Sequence, residues 1–187
     1  MCMATLPKSC VGFYTKVPKS DHMVPISNIE GFAKPNGGLW TTPKGALTWE
    51  EWCVDNMYAP AETKKGWHWD ISPDAHLLII DTLLDLQKAV AKFGIPTSLV
   101  GPVLDYKKLA NLKGEEKLDG IWLTDNGQWE TRLPKRAGDP NLYGWDLDTI
   151  LWFNMKHLLN QREYQTPAPA RVIRTKGQLV KNTAWGR

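Results

Sequence analysis

Cysteine is scarce in this chain, and what there is does not pair. Cys2, Cys10 and Cys53 are three in number and contain no Cys-x-x-Cys spacing, which argues against both a disulfide framework and a zinc site. Histidine is thin as well. His22, His68, His76 and His157 are scattered, without a metal-ligand partner at helical spacing, so no metal is expected. Long apolar runs are missing. The longest, HLLIIDTLL, is interrupted by Asp81 and falls short of the roughly 20 residues that span a bilayer, so no membrane partner is expected. The opening MCMATLPKSC lacks a basic stretch followed by an apolar one, so no secretory leader is expected and the expected location is cytoplasmic. No P-loop, HExxH, GxSxG, GxGxxG or kinase signature occurs, which sets aside the commonest phosphate-binding, metalloprotease and serine-hydrolase designs.

What the chain does have is tryptophan. Ten stand at 40, 49, 52, 67, 69, 122, 129, 145, 152 and 185, spread through the sequence rather than gathered in one run. Large aromatic rings fill a core well, and they equally line a cleft for a flat ligand. With 42% hydrophobic and 23% charged residues the composition is that of a globular protein. The charge is uneven: residues 161–187 carry six cations against Glu163, a net +5, so residues 1–160 carry −2 of the total +3. The reading is one domain over 1–160 followed by a basic, proline-containing tail over 161–187. Such an arm suits nucleic acid or another acidic surface, and equally a plain solubilising end.

Pattern and capping signals place the elements. VGFYTKV (11–17) reads as a strand, PISNIEGF (25–32) as a helical turn or loop closed by Gly31, and GGLWTT (37–42) as a strand entered through a glycine turn. LTWEEWCVDNM (47–57) is a helix with Thr48 as N-cap and Glu51 completing a capping box, so that Trp49, Trp52 and Cys53 share one face. AHLLIID (75–81) is a buried strand, with Asp81 expected to cap the helix over 82–93, which Gly94 ends. DYKKLANL (105–112) is a short helix, GIWLT (120–124) a strand, DNG (125–127) a turn, and GWDLDTILWFN (144–154) runs into a strand before a last helical turn in MKHLLNQ. Strands interleaved with short helices, without regular βαβ spacing, predict an α+β fold.

The blocks KPNGGLWTTP…TWEEWC, LDGIWLTDNGQWETR and NLYGWDLDTILWF resemble those of a group of actinobacterial phage proteins, over about residues 11 to 155. That likeness carries no function by itself. More distantly, the order of motifs resembles the ADP-ribosyltransferase fold of the poly(ADP-ribose) polymerase and diphtheria-toxin class. In that family a first strand carries a histidine, a Gly-Leu-Tyr segment follows, then a helix, and a late strand begins with a glutamate. The resemblance implies a split mixed sheet, NAD as cofactor, and a site assembled from matching positions. Tyr14 or Thr15 stands where the family histidine holds the nicotinamide ribose. Gly38, Trp40 and Thr41 stand at the Gly-Leu-Tyr segment, Trp40 replacing the tyrosine that stacks on nicotinamide, and Trp49 begins the helix behind it. Asp148, at the head of DTILWF, takes the place of the glutamate, with Glu130 as the alternative acid. Gly37 and Gly38 would let a ligand approach the backbone closely.

Each position has a plainer reading that stays open. Trp40 also suits a core, Tyr14 a strand, and NGG a hairpin turn. Asp148 also reads as a turn acid or the partner of Arg132, and Glu130 as a surface pair with Arg132. Three functions follow. The first is a phage-encoded, NAD-dependent transferase of ADP-ribose acting on a host macromolecule in the bacterial cytoplasm. The second is a non-catalytic aromatic cleft for a nucleotide, nucleic acid or host protein. The third is a virion structural or assembly protein. The oligomeric state is left open.

Overall fold

The computed structural model describes residues 5–57, 65–97 and 101–165; Cys2, Trp185 and the basic segment from 166 onward lie outside them. In chain order the strands are β1 (Ser9–Tyr14), β2 (Leu39–Pro43), β3 (Lys65–Ile71), β4 (Leu77–Ile80), β5 (Gly94–Ile95), β6 (Val103–Leu104), β7 (Gly120–Leu123), β8 (Thr149–Trp152) and β9 (Leu158–Tyr164). The helices are α1 (Trp49–Asp55), α2 (Leu83–Phe93), α3 (Tyr106–Ala110) and α4 (Asp125–Thr131). This is the expected α+β class in one domain.

Seven strands make one mixed sheet in the order β4-β7-β8-β2-β1-β3-β9, and β5 pairs with β6 apart from it. Only β4 and β7 run parallel among these pairs. Period-two alternation sends side chains to two cores. Ile121, Leu123 and Leu151 join α2, α3 and Trp145 on one face. Leu39, Trp122, Ile150 and Trp152 join Cys10 and Trp69 on the other. Burying Trp69, Trp145 and Trp152 almost completely supplies much of the apolar area that stabilises so small a body.

Helix starts follow local chemistry. Thr48 caps α1, with Glu51 N–H donating to its Oγ1 at 3.3 Å and Thr48 N–H donating back to Glu51 Oε2 at 2.8 Å, the predicted capping box. For α2 the N-cap is Thr82 in a box with Asp85, not Asp81, because Thr82 is the residue three before an acid; Asp81 instead accepts from Thr124 Oγ1 at 2.6 Å. The expected turn at 125–127 is the first turn of α4, since Thr124 caps Gly127 N–H at 3.0 Å and converts the turn signal into a helix start. The last helical turn expected in MKHLLNQ is strand β9, which pairs with β3 and carries the folded body past residue 160 to Tyr164. β3 itself, KGWHWDI, went unpredicted; its Trp69 is buried in the core that holds Cys10, with Trp67 packed against it.

Candidate ligand-binding site

The site begins where two neighbouring strands part. Lys44 N–H donates to the Ser9 carbonyl at 2.9 Å, so Ser9, Val11 and, by alternation, Phe13 turn their peptide groups toward β2. The register between β1 and β2 stops at Val11–Thr42. The next hydrogen-bonded step would set Phe13 against Trp40. Instead, the Tyr14 hydroxyl donates to the Trp40 carbonyl at 2.5 Å and accepts from the Trp40 N–H at 2.6 Å. A side chain thus replaces a strand, the two backbones splay, and the cleft-side peptide of Phe13 is the ladder position left facing the gap. Burial pushes the Tyr14 phenol above its ordinary pKa, so it keeps the proton that it donates. Gly12 permits the arrangement: a Cβ there would lie 2.8 Å from the Tyr14 ring and 2.9 Å from the Trp40 carbonyl oxygen.

The gap opens into a cleft of about 440 Å³, a volume typical of small-molecule sites. Tyr14 and Thr15 lie on one side of it, Trp40 and Thr41 on another, and Trp49 reaches in from α1. Trp49 is held flat by Trp52, the rings stacked at 5.1 Å and 13°. Trp40 leans edge-on against buried Trp145, with centroids 4.8 Å apart, and its indole Nε1 donates to the Gly37 carbonyl at 3.0 Å. Trp145 is backed in turn by Tyr106, and both donate to the Ala33 carbonyl. Trp40, Trp145 and Tyr106 are therefore pinned by their polar tips, which holds those rings as fixed surfaces. The Thr41 hydroxyl is engaged on the opposite face by Trp152 Nε1 at 2.9 Å.

Among the described residues, two charged groups reach the cleft. Lys34 places its ammonium 4.7 Å from the Trp40 ring centroid. Asp146 lines the wall and pairs with Arg132 at 3.5 Å, so the partner of Arg132 is neither Asp148 nor Glu130. Burial pulls the Lys34 ammonium below its usual pKa, while the nearby Asp146 pushes it back up.

Five of the eight residues named from the sequence meet here: Tyr14, Thr15, Trp40, Thr41 and Trp49. Three do not line the cleft. Gly38, with φ +70°, is packed against Ile26, Leu151 and the Trp152 carbonyl, and with Gly37 it serves a tight backbone crossing. Glu130 accepts from Leu83 N–H at 2.8 Å, closing the start of α2. Asp148 points to the other face of the sheet, where Trp122 Nε1 donates to it at 2.8 Å. Burial first, with Asp125 adding repulsion against the indole's opposing pull, raises its pKa to about 6. Strand parity carries that signal: Asp148, Ile150 and Trp152 alternate away from Thr149 and Leu151. Sequence reasoning missed Lys34 and Asp146, whose neighbours KPNGG and GWDLD it had singled out for glycine and for Asp148.

No family model, curated protein or solved structure matches this chain.

Proposed function

We propose that this chain is an NAD-binding protein of the ADP-ribosyltransferase type, a phage-encoded effector that acts on a macromolecule of the bacterial host. The observation that carries the reading is the split between β1 and β2. The three segments that resemble the family's site strands, around Tyr14, Trp40 and Thr149, are neighbours in the sheet order β8-β2-β1. The cleft opens between the first two of them. Its chemistry suits a nicotinamide: a flat ring against Trp40 and a carboxamide whose N–H and C=O meet the facing peptide of Phe13.

For transfer, the bond between nicotinamide and the ribose breaks with its electron pair leaving on neutral nicotinamide. The acceptor's nucleophile then attacks the ribose carbon, losing its proton to a carboxylate or water. A carboxylate beside the developing positive charge lowers the barrier. Asp146 is the acid on the cleft wall and is assigned that role; Asp148, bound to Trp122 on the opposite face, is assigned to structure. One observation favours the non-catalytic alternative: both acids already have partners, Asp146 in Arg132 and Asp148 in Trp122.

Titration with NAD, followed by calorimetry and tryptophan fluorescence, tests the binding. Saturable quenching is expected in the wild type and its loss in Trp40→Ala; no binding at millimolar NAD would refute the reading. Release of nicotinamide separates the two versions. The transferase version expects turnover that falls about 100-fold in Asp146→Asn and persists in Asp148→Asn, whereas binding without any release selects the non-catalytic one.

A further inference from the structure

The position of Lys34 calls for explanation. Its side chain is half-buried in an aromatic cleft, and among the described residues no carboxylate stands within ion-pair distance of its ammonium. Asp146, whose field it feels, is paired with Arg132. A half-desolvated cation without an anion is costly. The compensation on hand is the face of Trp40, 4.7 Å away, which attracts a cation through the ring quadrupole but less strongly than an ion pair does. Lys34 therefore sits where two features of a ligand would each find a use for it. It covers the ring on which a flat group would stack, and it presents donors that an oxyanion would take.

We infer that the cleft is selective for a phosphate-bearing nucleotide, with Lys34 as both the phosphate contact and the cover of the empty ring. A phosphate draws the ammonium off Trp40 and into a charge-assisted hydrogen bond; the exposed ring then receives the flat base. The same ligand without its phosphate has to displace the cation and gets nothing in return. Lys34 projects from the loop before β2, and its stem runs past Gly144, which puts no side chain against it; a Cβ there would lie 3.8 Å from its Cδ. Asp146 and Arg132 stay paired beside it, so among the described residues the phosphate meets one cation without an ion-pair partner and no unpaired carboxylate.

The inference rests on the nicotinamide reading above, and its test separates the two. The probes are nicotinamide mononucleotide and nicotinamide riboside, which differ by one phosphate, titrated against the full chain by tryptophan fluorescence at low and at moderate salt. In the wild type the mononucleotide is expected to bind about tenfold tighter, equivalent to about 1.4 kcal/mol, with an advantage that shrinks as salt rises. In Lys34→Met, which keeps the apolar stem, that preference vanishes while the riboside binds at least as well as it does to the wild type. Lys34→Arg retains the preference. Equal affinity for both probes in the wild type, or a preference that survives Lys34→Met, would overturn the role of Lys34 and leave the nicotinamide site standing. Failure of NAD and both probes to bind any of the folded proteins would remove both.

Discussion

Tyr14 and Trp40 are joined side chain to main chain: one phenol oxygen serves both the N–H and the C=O of the Trp40 residue, at 2.6 and 2.5 Å. Removing it strands two partly buried peptide groups. Tyr14→Phe is expected to destabilise the fold by about 1–3 kcal/mol, the range for an unsatisfied buried donor or acceptor. Urea denaturation reads this directly. An unchanged midpoint would mean that β1 and β2 close on each other without the hydroxyl.

Gly12 is the space into which that phenol ring fits. In Gly12→Ala the methyl would press on the Tyr14 ring at 2.8 Å and on the Trp40 carbonyl at 2.9 Å, so one of them has to move. A loss of about 1–3 kcal/mol is expected, accompanied by weaker NAD binding. Crystallography of the variant checks the cause: the Tyr14 hydroxyl should have left the Trp40 peptide.

Asp148 makes stability depend on pH in a stated direction. Its folded pKa, about 6, lies above the ordinary 3.8, so between those values the folded protein holds the extra proton. Its contribution is full below about pH 4, declines as pH rises through 6 and is level above that. Thermal melts of the wild type and Asp148→Asn across pH 4–7 isolate it. The difference in melting temperature should move in favour of the variant as pH rises, and a constant difference would contradict the assignment.

Glu130 closes the N-terminus of α2 through Leu83 N–H. Glu130→Ala should therefore cost about 1 kcal/mol, as losing a helix cap does, and leave NAD affinity unaltered. Calorimetry beside a thermal melt would show both; a loss of affinity without a loss of stability would put this acid back among the ligand contacts.

Much of the architecture was legible because it is written locally. The capping box of Thr48 and Glu51, the apolar period of α2 and the alternation in GIWLT lie within a few neighbours of one another. What escaped depends on partners distant in sequence. KGWHWDI becomes β3 because β1 and β9 hold it from both sides, and LLNQREY becomes β9 because β3 offers an edge, although its middle four residues are polar. The site divides the same way. Tyr14 and Trp40 stood out as aromatics beside glycines, yet the bond between them spans 26 positions. Asp146 and Asp148 differ by two residues in the chain and by a whole face in the sheet, a distinction set by where β8 begins.

β8 carries a consequence for how the chain assembles. All four of its residues are buried, and it lies between β7 and β2, although β2 is made more than a hundred residues earlier. Until Trp152 has left the ribosome, β2 and β7 present bare edges to each other across a missing plank, and loop closure over that distance is slow. A nascent chain at that stage resembles an unfinished hull, open along its midline to other strands. The keystone arrives late: without β8, no strand joins the β7 side of the sheet to the β2 side.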